Sequence, residues 1–530
     1  MRSSALAKKS QFKKTKQPNI KLNEGDLTKV RTIPIHKDLD KNKHIIKQVL
    51  GDGEDVFERD YQLEMENGKE LTVFLTGIGG LVDEDAVRKQ VVEPLLSAPL
   101  EKSANIVNSI KKSLYVKDIN EETNLYNGLL QMIKGSLFIL IDGETTGLLI
   151  KIEGAVERSI EEPPTGTVVS GSREGFVENL GTNISLLRKR IAHPNLKFVT
   201  YTIGEFSQTD IVVTYVEGIA DPKVVERTDQ RMRQIEVDDI SSSGQIEQYL
   251  DENTYSIFPT TGNTERPDQL AAMLMEGRVG VIINGGPVAL FYPSLFIEKL
   301  HSEEDYSSKP FYSSFTRFMR FFAFLLSVLF PALYISAVNI HKEMSPSEFL
   351  LFLAQSREGV PFPLFLETLI LLIVFEIVRE AGVRMPRAVG QAVSIVGALI
   401  LGEVSVAAGL ISAQTIIVVA TASVATFIVT PVAEVVALLR IIYLIASSLF
   451  GFYGLMVSLL ITITHMVNLK SMGVPYVGPI MPIHIRDWKD SLVRFPFKLL
   501  KHRPKSIPNV RPIRYKNTPH HKNDEGDEQW

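Results

Sequence analysis

"SREGVPFPLFLETLILLIVFEIVREAGVRMP" runs from Ser356 to Pro386. Its centre is as apolar as a membrane span, yet it carries Glu367, Glu376 and Glu380. An ionised side chain inside a bilayer is costly, so such a residue reads as functional by default. The pattern predicts a helix over 360–378, with Pro361 and Pro363 at its start, where a missing N–H is tolerated. Glu367 and Glu376 are nine residues apart, about 180° around a helix axis, so they do not share a face. Glu376 and Glu380 are i,i+4 neighbours beside Arg379 and Arg384 and read as an interfacial ion-pair cluster. Glu367 lies about 10 Å into this helix. Glu403 lies at a similar depth from the outer end of the next apolar run. A buried carboxylate must be protonated, paired or wet. Two readings stay open for this pair: packing glutamates hydrogen-bonded between helices, or acids along a water-lined cation path. In a symmetric oligomer one glutamate per subunit becomes a ring, an arrangement that selects cations.

Outward from this stretch the 530-residue chain divides in two. Its averages, 45% hydrophobic and 22% charged, describe neither half. Residues 1–316 are charge-rich, whereas 321–340, 389–430 and 441–469 contain one charged residue among them, Glu403. A bilayer crossing takes about 20 apolar residues. The fold class expected is therefore an N-terminal α/β region followed by a polytopic α-helical membrane domain over 317–470. Its spans fall near 321–340, 360–378, 389–410, 412–430 and 441–469. Basic residues flank the cytoplasmic ends of spans. Lys309, Arg317 and Arg320 precede the first span, which puts the N-terminal region in the cytoplasm. Arg379, Arg384 and Arg387 lie between the second and third. Five single crossings would leave the C-terminus outside, yet residues 470–530 carry twelve Lys/Arg against six Asp/Glu. The conflict resolves if "GFYG" (451–454) interrupts the last run and, with 432–440 added, makes it a tight hairpin. An even number of crossings, four or six, follows.

The soluble half reads as two α/β subdomains, 41–165 and 166–310, joined near "EEPPTG" (161–166). Alternating runs "DVFERDYQLEM" and "ELTVFLTGI" flank an Asn-Gly hairpin signal. "SLFILIDG", "GLLIKIEG", "LKFVTYTIG", "DIVVTYVEGI" and "RVGVIINGGPVALFYP" supply further strands among helical stretches. Similarity between the two units is too weak in sequence to define a repeat. Residues 1–40 read as a basic disordered tail and 471–530 as a basic cytoplasmic tail. Their polar ends, 1–35 and 505–530, are expected to be dispensable for folding. The chain has no cysteine, which excludes disulfides, thiol catalysis and Cys-ligated metal. Walker A, dinucleotide, HExxH and GxSxG motifs are absent. No enzyme activity, cofactor or metal is expected. The basic ends lack interleaved aromatics, so nucleic acid is not an expected partner.

Several long motifs, in order, resemble the A subunit of the GerA-type spore germinant receptors. They are "SREGFVENLGTNISLLRKRI" (172–191), "TERPD" (264–268), "EGRVGVIINGGPVALFYPSLF" (276–296), "EDYSS" (304–308), "SREGVPFPLFLE" (356–367) and "REAGVRMPRAVGQAVSIVGALILGE" (379–403). The resemblance covers roughly 40–475. It departs where Ser170-Gly171-Ser172 precedes Arg173 in place of the usual Arg-Gly-Pro, which puts a role for that arginine in doubt. The resemblance implies a multi-pass subunit of the spore inner membrane with a cytoplasmic N-terminal domain. The implied partners are a nutrient-binding B subunit resembling amino-acid transporters and a lipoprotein C subunit. It implies a homo-oligomer that conducts monovalent cations when nutrient binds, with Glu367, Glu403, Pro361 and Pro363 along or beside the path. Alternatives stay open: a related A-like protein linked to dipicolinic-acid release, a secondary transporter subunit or a scaffold.

Overall fold

A computed structural model describes residues 33–50, 55–65, 68, 70–97, 106–152, 172–344, 346–384 and 402–514. Most of the expected tail 1–40, the linker at 161–166, most of the run 389–410 and residues 515–530 lie outside the described residues. The first α/β unit extends further toward the N-terminus than expected. Ile35 is buried, and Asn42 fastens the backbone of His36 through both its amide groups. The helix Leu39–Leu50 follows directly.

Two five-stranded sheets form the N-terminal half. The first contains β1 (Val56–Glu64), β2 (Glu70–Ile78), β3 (Ile119–Glu122), β4 (Ser136–Ile141) and β5 (Gly147–Lys151) in the order β1-β2-β4-β5-β3. The second contains β6 (Leu196–Ile203), β7 (Thr209–Val216), β8 (Gly262–Thr264), β9 (Val279–Ile283) and β10 (Ala289–Tyr292) in the order β6-β7-β9-β10-β8. The Asn-Gly hairpin joins β1 to β2, pairing Val56 with Ile78 and Glu64 with Glu70. All these pairings are antiparallel, so each unit is a mixed α–β layer and not a parallel βαβ array. Helices cover both sheet faces. On β2, Val73 and Leu75 pack with Val91 and Ile110, while Phe74 and Ile78 pack with Ile46 and Leu129. Double burial explains why β4 and β9 read as unbroken apolar runs. The edge strands β3 and β8 escaped the sequence because they are short and polar, "INEE" and "GNT".

The two units are copies of one design. Asn42 bonds both backbone groups of His36, and Asn183 does the same to Val177. Ile35 N–H donates to Thr123, as Phe176 does to Glu265. Gly143 N–H donates to Lys37, as Gly285 does to Glu178. Asp83 and Asp221 cap the helix after the second strand of each unit. The repeat is therefore held in hydrogen-bond geometry, where sequence identity has faded. The units meet at Arg188, whose Nε donates to Asp55 at 2.7 Å with both side chains almost fully buried. Ser185 Oγ donates to the Gly79 carbonyl, and Lys197 Nζ to the Val49 carbonyl.

The second half is helical. Pro310–Ile335 continues through a wide turn to Ile340; Ser347–Ser356, Leu364–Arg384, Ala413–Ile428 and Ala433–Asn468 follow. By length and composition two of these are long and apolar enough to cross a bilayer, Pro310–Ile340 and Thr430–Asn468. The latter is not one rod. Gly451 has φ 60° and ψ −142°, which only glycine adopts readily. Beyond it the chain doubles back. A Cβ on Gly454 would collide with the Ala446 carbonyl, eight residues back, and Leu455 packs in the same core as Tyr443. The hairpin expected at 451–454 is thus present, with legs of about 27 Å and 25 Å.

The returning chain corrects the expected tail over its described part, 471–514. Residues 470–475 form a small hairpin; Ser471 Oγ donates to Thr260, and Phe296 N–H donates to Tyr476. Tyr476 and Ile507 are fully buried, in a core that also contains Phe296, Ala332, Val436 and Tyr443. Within 505–514, expected to be a dispensable end, Ser506 and Ile507 are buried and Val510 N–H donates to the Ile219 carbonyl. One core thus runs from the second α/β unit into the helical bundle.

Removing one partner of a buried ion pair leaves an unpaired charge. Arg188→Ala is expected to lower the unfolding free energy by about 3 kcal/mol. The double change Asp55→Leu with Arg188→Met should recover most of it, as read by thermal unfolding.

Candidate functional site

Glu367 lies in the first turn of Leu364–Arg384 and is 0% exposed. The helix starts at 364 and not at 360. Gly359 has φ 91°, and the residue before a proline disfavours helical backbone, so Pro361 and Pro363 hold 357–363 as a turn. Glu367 N–H donates to the Pro363 carbonyl at 3.0 Å. The carboxylate is therefore about 5 Å from the helix start, half the depth expected.

Its partners come from other segments. Oε1 accepts from Ser412 N–H at 2.6 Å and from Ser412 Oγ at 2.7 Å. Ser412 is the N-cap of Ala413–Ile428, so the carboxylate faces the positive end of that helix. Ser412 Oγ is 2.9 Å from Thr415 Oγ1, which lies 3.5 Å from the Tyr334 hydroxyl. Arg357 Nη2 stands 3.6 Å from Glu367 Oε2. That distance is too long for a hydrogen bond, and Oε2 and Arg357 Nε are both buried without a hydrogen-bond partner. Ile335, Leu364, Leu371, Ile411, Val419 and Leu444 surround the group. The arrangement is a paired carboxylate with one oxygen held and one spare.

The other candidates lie apart from it. Glu403 is exposed, in a short helical stretch that ends at Gly409. Arg379 pairs with Glu376, and Arg384 with Glu380 at 2.7 Å. Arg440 was missed because it sits at the edge of the apolar run. It is 5% exposed; its guanidinium bonds the carbonyls of Ser327 and Ala422 and the Thr426 hydroxyl, joining three helices. Arg357 was also missed, although it stands in the opening stretch. The signal was the pairing requirement itself, since a buried acid asks for a cation.

A second buried cluster joins the α/β units to the bundle. Arg317 Nε donates to Asp305 at 2.9 Å, and its Nη1 to the Asp490 carbonyl at 2.7 Å. Arg320 reaches the same Asp305 carboxylate. Burial alone would raise Asp305, but the Arg320 and Arg317 guanidinium groups hold it below its ordinary range. His301 bonds the Ser491 carbonyl at 2.7 Å. Burial, then the Arg317 charge, pushes His301 from 6.5 down to about 3. Below pH 6.5 the unfolded chain therefore takes up a proton that the folded chain refuses until about pH 3. Stability from this group is lost as pH falls through that window, by up to about 1.4 kcal/mol per pH unit. His301→Gln keeps a donor for Ser491 and should flatten the pH dependence of thermal unfolding over that range.

The chain matches the model of the GerA family, described as Bacillus/Clostridium GerA spore germination protein, over residues 44–506. Spore germination protein KA of Bacillus subtilis (strain 168) is 36% identical over 482 residues, 90% of this chain and 88% of that protein. Spore germination protein GerLA of Bacillus cereus is 34% identical, across 87% of this chain and 94% of its own. The uncharacterized membrane protein YfkQ of Bacillus subtilis (strain 168) is 33% identical, across 84% and 86%. Among solved structures, the N-terminal domain of the A subunit of the Bacillus megaterium spore germinant receptor GerK3 is 27% identical. It aligns to 50% of this chain and 98% of that domain, with a TM-score of 0.40.

Proposed function

Since the chain belongs to the GerA family of spore germination proteins, we propose that it is the A subunit of a nutrient germinant receptor in the spore inner membrane. In this reading it assembles with a transporter-like B subunit, a lipoprotein C subunit and further copies of itself. The assembly forms a gated path for monovalent cations. The membrane domain crosses six times. The segments are 310–340, 364–384, the expected run 389–410, most of which lies outside the described residues, 413–428 and the two legs that meet at Gly451. Packing of 470–514 on the second α/β unit supports an even count, because both ends of the bundle then lie on one side.

The observation that carries the gating role is Glu367 with its spare oxygen facing Arg357. A half-satisfied buried carboxylate is costly and has a ready alternative partner in a cation. The closed state pairs Glu367 with Arg357 and Ser412. Opening separates Arg357 and leaves the carboxylate to a passing cation. A buried pair is worth about 3–5 kcal/mol when one partner is removed. Even about 1.4 kcal/mol of that shifts a closed–open equilibrium tenfold. Glu367→Gln and Arg357→Gln spores are therefore expected to release monovalent cations without nutrient at rates roughly tenfold above the parent. Glu376→Gln, at the far end of the helix, should not. Unchanged basal and nutrient-triggered efflux in both variants, at normal protein levels, would sink the gating role.

Topology has its own test, made simple by the lack of native cysteine. Lys342→Cys, beyond the first helix, should react with an impermeant maleimide from the outer face. Gln234→Cys and Val510→Cys should react only after the membrane is opened. Labelling of Val510→Cys from outside would mean an odd number of crossings.

A further inference from the structure

Between Met481 and Leu499 the chain is folded with its polarity reversed. Ile483, Ile485, Trp488, Val493, Phe497 and Leu499 are exposed, whereas Arg494 is 3% and Ser491 8% exposed. The acids also turn inward. Asp490 receives Arg317, and Asp487 accepts the backbone N–H groups of Lys505 and Ser506. Each large apolar side chain left in water forgoes about 2 kcal/mol of burial. So many exposed apolar side chains on one short segment mark a surface that meets something other than water.

The position of the segment says what it meets. Ser314 Oγ accepts from Arg494 N–H at 2.9 Å and reaches its carbonyl at 3.3 Å. With the Arg317–Asp490 contact, this fixes the segment against the first two turns of Pro310–Ile335. The outer face of those turns carries exposed Phe311, Phe315, Phe318 and Phe322 at helical spacing. That helix is 26 residues long. At about 39 Å it exceeds a hydrocarbon core of about 30 Å. The excess falls at its basic end, where Ser314 and Arg317 hold the segment and where interfacial aromatics concentrate. The charges facing outward from the segment, Arg486, Lys489 and Lys498, are all basic.

We propose that residues 481–499 form a collar lying in the headgroup region of an anionic leaflet, with Trp488 and Phe497 at the acyl boundary. Aromatic and aliphatic side chains on one face with Lys and Arg around them are what such an interfacial segment needs. The proposal rests on the membrane-spanning reading above and adds a lipid contact outside the crossings. It also gives the leaflet a mechanical route inward, because the collar is bonded to Arg317 and, through Asp487, to the 505–510 stretch that pairs with Ile219 and Ala220 of the second α/β unit.

The chain has two tryptophans, Trp488 and Trp530. Full-length Trp530→Phe protein is reconstituted into phosphatidylglycerol vesicles whose acyl chains carry bromine either near the headgroup or near the methyl end. Shallow bromine is expected to reduce Trp488 emission roughly twofold, deep bromine to change it little, and acrylamide to have poor access. The further change Arg486→Glu with Lys489→Glu should weaken the shallow quenching. Equal quenching in phosphatidylcholine, insensitive to this charge reversal, would overturn the anionic preference. No bromine quenching, in protein that floats with the vesicles and resists alkaline extraction, would overturn the collar while leaving the crossings intact. Acrylamide access would then mean that the face meets water, and protection from both quenchers that another protein covers it. Protein that fails to float would overturn the membrane-spanning reading and the collar with it.

Discussion

The backbone at Gly451 decides where the last third of the helical half and everything after it can go. Its φ of 60° and ψ of −142° lie in a region that side chains bar, and a Cβ there would meet the His341 ring at 2.4 Å. The bend therefore does two jobs. It reverses the chain, and it seats the reversal against the end of the Pro310–Ile340 segment. Without it, 452–468 would run on as a continuous rod and residues 470–514 could not reach the second α/β unit. With it, Leu455, Leu469, Val474, Tyr476 and Ile507 join Phe258 and Phe296 in one core.

Buried charge marks each joint between elements far apart in sequence. Arg188 and Asp55 join the two α/β units. Arg317, Arg320, Asp305 and Asp490 join the units to the first helix and the returning chain. Arg440 ties three helices through their carbonyls. Arg357, Glu367 and Ser412 close the far end of the bundle. Apolar contacts alone tolerate sliding, whereas a desolvated guanidinium tolerates few alternative positions, so these joints fix register. Glu367, like Asp55, has a second oxygen without a hydrogen bond, but its cation Arg357 stands 3.6 Å away and is partly exposed, where Arg188 is buried at 2.7 Å. It is the joint best suited to exchange partners.

The repeat in the α/β half shows how little of a duplicated design has to remain in side chains. Asn42 and Asn183 survive because each amide pins a backbone loop that nothing else satisfies. Asp83 and Asp221 survive as helix caps. Leu, Ile, Val and Phe fill the cores of both units, and exchanges among them preserve volume and patterning while erasing identity.

The sequence by itself determined the division into a charged half and an apolar half, the Asn-Gly hairpin of β1 and β2, the buried runs of β4 and β9, and the break at 451–454. Its motifs also determined the family. Each of these is written locally, in periodicity, in a turn-forming pair or in a run of residues. Only the tertiary structure decided the common strand order of the two sheets, the fate of 470–514, and the partners of Glu367. β3 and β8 are strands because their neighbours supply the ladder, not because "INEE" or "GNT" prefers to be extended. Glu367 was visible as an expensive residue, but Ser412 stands 45 residues away and its link to Arg357 spans a turn. Whether a buried carboxylate is wet, protonated or paired depends on what the folded chain brings within about 4 Å of it. No periodicity in the sequence records that distance.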